Sequence, residues 1–266
     1  MRMIRRVWIT RAQPGAARTA TRLTALGFEP VVASLLTIRP LPDALSAAPD
    51  LATIAALAFT SPNGVEAFAA LVPPPLLRDR PVFAVGDATA QAASAAGFPD
   101  ACSASGDIHA LARLIAASPI DGLILAPGAR EPAGDLAALL PDRNIQRLPV
   151  YAAEETDAAP PADFDAVLVH SPRAARALAA VMAAIMTPDA ARNRLAVCIS
   201  AAAVAPLAAL GFAEIRTADA PDEASMLTAL GKSVHPYKEP TSRGSPTLVR
   251  AADRSCFSSA GRAHHS

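Results

Sequence analysis

The second half of this chain repeats the first, motif by motif, at a spacing of about 110 residues. Residues 57–71, LAFTSPNGVEAFAAL, return at 167–182 as VLVHSPRAARALAAVM. Residues 82–98, VFAVGDATAQAASAAGF, return at 195–212 as LAVCISAAAVAPLAALGF. A weaker pair joins VWITRAQPGAARTATRLTALGF (7–28) to LILAPGAREPAGDLAALLPDRN (123–144). Each copy carries several strand–helix units, and a period this long points to two similar domains rather than a solenoid.

Within each copy, short apolar runs alternate with Ala/Leu-rich helical patterns. That alternation predicts parallel sheets covered on both faces, an α/β fold of two similar doubly wound parallel-sheet domains. Strands are expected over 6–10, 31–34, 54–59, 82–85, 122–126, 145–150, 166–170, 195–199 and 213–216. Helices are expected over 14–26, 63–71, 87–96, 107–117, 133–140, 173–186, 201–210 and 222–230. Gly27, Gly97 and Gly211 each follow a helical run where a left-handed cap is wanted. Two extended, proline-bracketed stretches, 35–43 and 147–161, read as crossings between domains. The expected division is then 1–37 plus 152–231 for one domain and 38–151 for the other, inserted one; a simple cut near residue 118 is the alternative.

Beyond Gly231 the periodicity stops, and 232–266 reads as a disordered tail. It holds six basic and two acidic residues, so the 24 basic and 24 acidic residues of the whole chain leave 18 against 22 in the body. A folded part of net −4 argues against nucleic-acid binding. No apolar run is long enough to cross a membrane and no secretory signal opens the chain, which makes a cytoplasmic location the expectation. Cys102, Cys198 and Cys256 stand far apart, and neither they nor the histidines show ligand spacing, so no metal is expected. LGKS at 230–233 lacks the upstream glycines of a phosphate loop, and no dinucleotide fingerprint is present.

In doubly wound sheets ligands bind beyond the carboxyl ends of the strands. That rule selects Arg11, Thr60, Ser61, Gly86, Thr89, Gly128, Arg130, Ser171 and Ser200 as candidate binding residues. Their loops present backbone N–H groups and small hydroxyls at helix N-termini, an array suited to anions. Arg11, Arg130 and Arg173 add cations where a carboxylate would be gripped. Ser61, Ser171 and Thr89 also serve as plain helix caps in a competing reading, and each arginine as a solvated surface group. Tyr151, one of two tyrosines, sits on the second crossing, either facing the space between the domains or packing with a satisfied hydroxyl.

Taken in order, ITRAQPGA, LAFTSPNGVEAF, VFAVGDATAQAASAAGF, LAPG followed by LPVY, and VLVHSPRAA resemble the uroporphyrinogen-III synthase family across residues 7–231. The resemblance implies two flavodoxin-like domains joined by a two-stranded linker, with an active site in the cleft between them. It implies a cofactor-independent lyase that takes hydroxymethylbilane, a linear tetrapyrrole with eight carboxylates. That enzyme expels the terminal hydroxyl as water and closes the ring, inverting the last pyrrole through a spiro intermediate to give uroporphyrinogen III. It also implies a monomer, with transient handover of substrate from hydroxymethylbilane synthase. Tyr151 matches the family's cleft tyrosine and is the candidate acid; Thr60, Ser61, Thr89 and Ser171 match its hydroxyl-bearing loops. One departure stands out: CISAAAVA places Ser200 where family members carry glycine and Ala202-Ala203 where they carry threonine. Two other readings remain open on sequence, a cytoplasmic two-lobed small-molecule binding or sensor protein and a diverged, inactive paralogue.

Overall fold

Among the described residues eleven strands form two sheets, and the repeat is visible in how they are ordered. The computed structural model describes residues 4–231 except 74–75, 78, 99 and 186–190. The 232–266 tail, with Cys256, the final two histidines and the end of LGKS, lies outside the described residues. In chain order the strands are β1 (Arg6–Ile9), β2 (Glu29–Val32), β3 (Leu36–Pro40), β4 (Ile54–Phe59), β5 (Val82–Ala84), β6 (Ala101–Ser103), β7 (Leu123–Ala129), β8 (Ile145–Glu155), β9 (Ala166–Val169), β10 (Leu195–Cys198) and β11 (Glu214–Thr217). The helices are α1 (Gly15–Ala25), α2 (Pro62–Leu71), α3 (Asp87–Ala95), α4 (Ile108–Ala116), α5 (Pro172–Ile185), α6 (Ala201–Val204) and α7 (Glu223–Gly231).

One sheet runs β11-β10-β9-β1-β2, all parallel, and the other β3-β8-β7-β4-β5-β6, parallel except for β3. The order β11-β10-β9-β1-β2 superimposes on β6-β5-β4-β7-β8, so each repeat pair seen in the sequence occupies the same place in its sheet. The weak third pair is real in this sense: β1 and β7 are counterparts. The burial of residues 61–70 matches that of 171–180 position for position.

Period-two alternation places each sheet between two apolar layers. In the five-stranded sheet Trp8, Val167, Val169, Ala196 and Cys198 pack under α5 and α6, while Val7, Ile9, Ala166, Leu168 and Val197 pack under α1 and α7. Trp8 stacks edge-on against Phe164 at 5.1 Å and donates its indole N–H to the Ala33 carbonyl at 2.8 Å. In the six-stranded sheet Phe59, Phe68 and Phe98 form one aromatic knot beneath α2 and α3, with centroids 5.9–6.5 Å apart. A bulge between Ile54 and Ala56 shifts the phase of β4, so Ile54 and Leu57 share a face although they are an odd three positions apart.

The two expected crossings pair with each other. Leu36–Pro40 lies antiparallel to β8, with Leu36 opposite Glu155 and Pro40 opposite Tyr151. These segments therefore form a ladder at the edge of the six-stranded sheet, and residues 37 and 151 both lie in it.

Three sequence expectations need correction. Residues 133–140 form turns rather than a helix, because the Asp135 carboxylate accepts the amides of Ala137 (3.0 Å) and Ala138 (3.4 Å). Pro132, Gly134 and Pro141 leave too few residues between them to nucleate a helix. Leu136 and Leu140 still pack onto the face that α1 covers in the other sheet. The helix expected at 201–210 stops at Val204 and continues as a short 3-10 turn, since Pro206 has no N–H to extend it. The three-residue edge strand β6 lies outside the expected strands, because ACS carries no apolar run.

Gly27, Gly97 and Gly211 do take the left-handed conformation, at φ +83°, +99° and +73°. Nothing lies within 4 Å of a Cβ built on Gly211, so Gly211→Ala tests backbone strain alone. We expect it to lower stability by about 1 kcal/mol, read from the urea midpoint at unchanged slope. Among the described residues no helix is long and apolar enough to cross a membrane.

Candidate active site

Strand order locates a crevice in each sheet. From β4 the chain winds one way through β5 to β6, while from β7 it winds the other way to β8, so the loops after β4 and β7 diverge at a switch point. In the five-stranded sheet the loops after β1 and β9 diverge in the same manner. Such divergence opens the ligand crevice of doubly wound folds.

At the β4/β7 switch point the structure brings together five of the candidate residues. Ser61 caps α2, its Oγ accepting the Gly64 amide at 3.2 Å. The same oxygen lies 3.1 Å from the Tyr151 hydroxyl. Thr60 is exposed beside Gly128, whose added Cβ would sit 3.9 Å from Thr60 Oγ1. The Arg130 amide donates to the Tyr151 carbonyl at 2.8 Å, while its side chain is exposed. Gly64 lets α2 come this close: a Cβ there would meet the Pro127 carbonyl oxygen at 3.0 Å. A shallow hollow opens between Thr60, Gly128, Gly134, Arg147 and Pro149.

Tyr151 is only 7% exposed, so its ring is a packing residue of the core while its hydroxyl reaches the sheet's carboxyl edge. Burial raises the phenol pKa above its ordinary value, and the Ser61 hydrogen bond only partly opposes this. Tyr151 therefore keeps its proton at neutral pH. Of the two sequence readings the packed one holds: the ring is buried and its hydroxyl is bonded to Ser61 at the switch point.

The β1/β9 switch point holds Arg11 and Ser171. Ser171 caps α5 through the Ala174 amide at 3.0 Å, repeating Ser61. Arg11 lies flat over Gly15, where a Cβ would come within 2.5 Å of its Nε. Its guanidinium is 3.5 Å from Thr19 Oγ1 and 3.8 Å from Glu223, a carboxylate that also pairs with Arg22 at 2.8 Å. Burial lowers the Arg11 pKa, and Glu223 partly restores it. This arginine is thus already partnered within its own layer.

Gly86, Thr89 and Ser200 stand one strand further out in each sheet. Gly86 and Ser200 are counterparts with nearly equal extended backbones, φ −162° and −159°, which any residue adopts. Serine for glycine at 200 therefore brings no strain. Thr89 is 2% exposed and its counterpart Ala203 is 0% exposed, so the missing threonine falls at a packed position.

His170 and Glu131 are functional candidates that the sequence does not single out. His170 follows β9 in the place Thr60 holds after β4, and among the described residues neither ring nitrogen has a hydrogen-bond partner. Burial pushes its pKa down to about 3, helped by the Arg11 charge and only weakly opposed by the Leu168 carbonyl, which already accepts Thr10 Oγ1 at 2.7 Å. Glu131, after β7, pairs with Arg173 Nη1 at 2.6 Å, linking the two switch-point loops. The visible signal for His170 is the substitution of histidine for threonine between aligned copies of the Ser-Pro motif. Cys198 is inert, its thiol pKa pushed up to about 12 by burial. Among the described residues no group of three or more His, Cys, Asp or Glu is placed to hold a metal.

The family model for uroporphyrinogen-III synthase HemD matches residues 17–228. The chain belongs to that family. Solved structures that share its fold include two synthases. Uroporphyrinogen-III synthetase from Helicobacter pylori is 18% identical at a TM-score of 0.58, covering 88% of this chain and 100% of its own. A mutant uroporphyrinogen III synthase from Thermus thermophilus is 18% identical at a TM-score of 0.51, covering 86% of this chain and 98% of its own. No curated protein sequence matches the chain. As a family member the chain has the α/β architecture with parallel sheets expected of these synthases, and Tyr151 and both Ser-Pro turns fall inside the matched span.

Proposed function

We propose that this chain closes hydroxymethylbilane to uroporphyrinogen III, expelling water and inverting the last pyrrole, without a cofactor. In this reading 1–37 with 152–231 and 38–151 are two lobes flanking the site, and the protein acts as a monomer. The observation that carries it is the Tyr151–Ser61 hydroxyl pair at a switch point, in a chain whose family is defined by this reaction.

The chemistry asks little acid or base power of the protein. The substrate readily loses its terminal hydroxyl to leave a conjugated azafulvene, and the C–O bond breaks as that oxygen takes up a proton. Ser61 Oγ accepts the Gly64 amide and keeps its own hydrogen to donate to Tyr151. The Tyr151 proton is then free for the departing oxygen. What remains is to hold a flexible polyanion so that the substituted carbon of the last ring is the one attacked. Orientation of that kind accounts for several kcal/mol of barrier. Helix N-termini at both switch points suit the carboxylates.

The decisive experiment supplies hydroxymethylbilane and resolves the product isomers. The type III isomer should dominate. Formation of only the symmetric isomer, at the spontaneous rate, would reject the reading and favour a binding protein or an inactive paralogue.

A further inference from the structure

The two Ser-Pro turns share one backbone frame yet differ in what they display. His170 stands for Thr60 and Arg173 for Asn63, around capping serines that are alike. The first turn offers small neutral groups and the Tyr151 hydroxyl. The second offers nitrogen groups without partners: both His170 ring nitrogens, one a donor and the other an acceptor in the neutral ring, and the Arg173 Nε donor are buried without a hydrogen bond among the described residues. Buried polar groups are nearly always satisfied, so such a cluster is where a missing partner belongs. A carboxylate already sits at its edge. Glu131 takes Arg173 Nη1 at 2.6 Å but leaves Nε untouched, although a guanidinium grips carboxylates best through two parallel N–H groups. Glu131 is 71% exposed, whereas Arg173 is 28% exposed, so the acid is the more easily withdrawn of the two.

We propose that the head of α5 is a carboxylate seat in which His170 and Arg173 fix one acidic side chain of the substrate, displacing Glu131. The two copies then divide the work: the turn at 60–63 with Tyr151 attends the reacting end, and the turn at 170–173 anchors an acid arm. Glu131 is the protein's own stand-in, holding Arg173 until substrate arrives. The proposal rests on the hydroxymethylbilane reading for the source of the carboxylate.

Three variants test it by steady-state kinetics. His170→Phe and Arg173→Lys should each raise KM for hydroxymethylbilane about tenfold with kcat changed less than about twofold, as loss of a charge-assisted bond predicts. Glu131→Gln should lower KM, since a competing carboxylate is gone. His170→Phe should also keep the wild-type melting temperature at neutral pH, because neither ring nitrogen it removes has a geometrically sound hydrogen bond among the described residues. An unchanged KM in either nitrogen variant, a raised KM in Glu131→Gln, or a melting temperature several degrees lower in His170→Phe would overturn the seat. If the wild-type protein makes no type III isomer, the function fails separately, and tricarballylate becomes the probe. Titrated into protein labelled with ¹⁵N-histidine, it shifts the His170 ring resonances, identified by their loss in His170→Phe, if the seat exists; no shift rejects it.

Discussion

Acidification should destabilise this protein through one residue. The unfolded chain takes up a proton on His170 near the ordinary histidine pKa of 6.5, whereas the folded chain resists until about 3. Between those values the unfolded state binds more protons, so the His170 contribution to stability is constant above pH 6.5 and falls as pH drops below it. At about 1.36 kcal/mol per unit, the loss is roughly 2–3 kcal/mol by pH 4.5 and roughly 4–5 kcal/mol at the limit. The cause is desolvation first and the Arg11 charge second. Urea unfolding of wild type and His170→Phe at pH 7.5, 5.5 and 4.5 gives the test. The two curves of stability against pH should diverge only on the acid side, with the variant the more stable there. Parallel curves would show that His170 protonates in the fold without penalty.

Tyr151→Phe should lower kcat about 10²-fold and leave the type III product in place. The substitution keeps the buried ring and removes the hydroxyl that meets Ser61 at 3.1 Å. The fold should lose about 1 kcal/mol, the worth of one hydrogen bond. Ser61→Ala removes both the cap on Gly64 and the hydroxyl bonded to Tyr151, so it should reduce kcat less than Tyr151→Phe and stability more. In the double variant the kcat effects should fall short of their product, because both act on one proton. Because burial holds the phenol protonated, wild-type kcat should show no alkaline fall below pH 9. Complete loss of activity in a folded Tyr151→Phe would make proton donation, and not orientation, the dominant contribution. An unchanged kcat would remove the hydroxyl from the mechanism.

The repeat carries most of the architecture, because strand alternation and helix spacing are local properties of 10–20 residues. It makes β1 the counterpart of β7 and places both Ser-Pro turns at helix heads. It fails at 133–140, where an aspartate side chain competes for backbone amides that a helix would use. Apolar spacing does not register such capture. The binding residues are legible as positions, the ends of strands, but less so as environments. Thr89 and Ser171 are equally polar on paper, yet one is packed inside and the other stands at a switch point. His170 is marked in the sequence only by standing where the other copy has threonine; that its ring nitrogens lack a hydrogen-bond partner among the described residues is visible only in coordinates. Arg11 looks available from sequence; Glu223, more than 200 residues away, already answers it.

The place of β1 has a bearing on synthesis. Val7, Trp8 and Ile9 occupy an inner strand whose second neighbour, β9, begins only at Ala166. On the ribosome the six-stranded sheet emerges whole while this first strand still lacks half its pairing. The leading segment must therefore remain an apolar ribbon, with only β2 beside it, until the C-terminal third is translated. Chains interrupted before residue 166 would present that bare edge to one another, which makes premature termination, more than point mutation, the route by which this protein should aggregate.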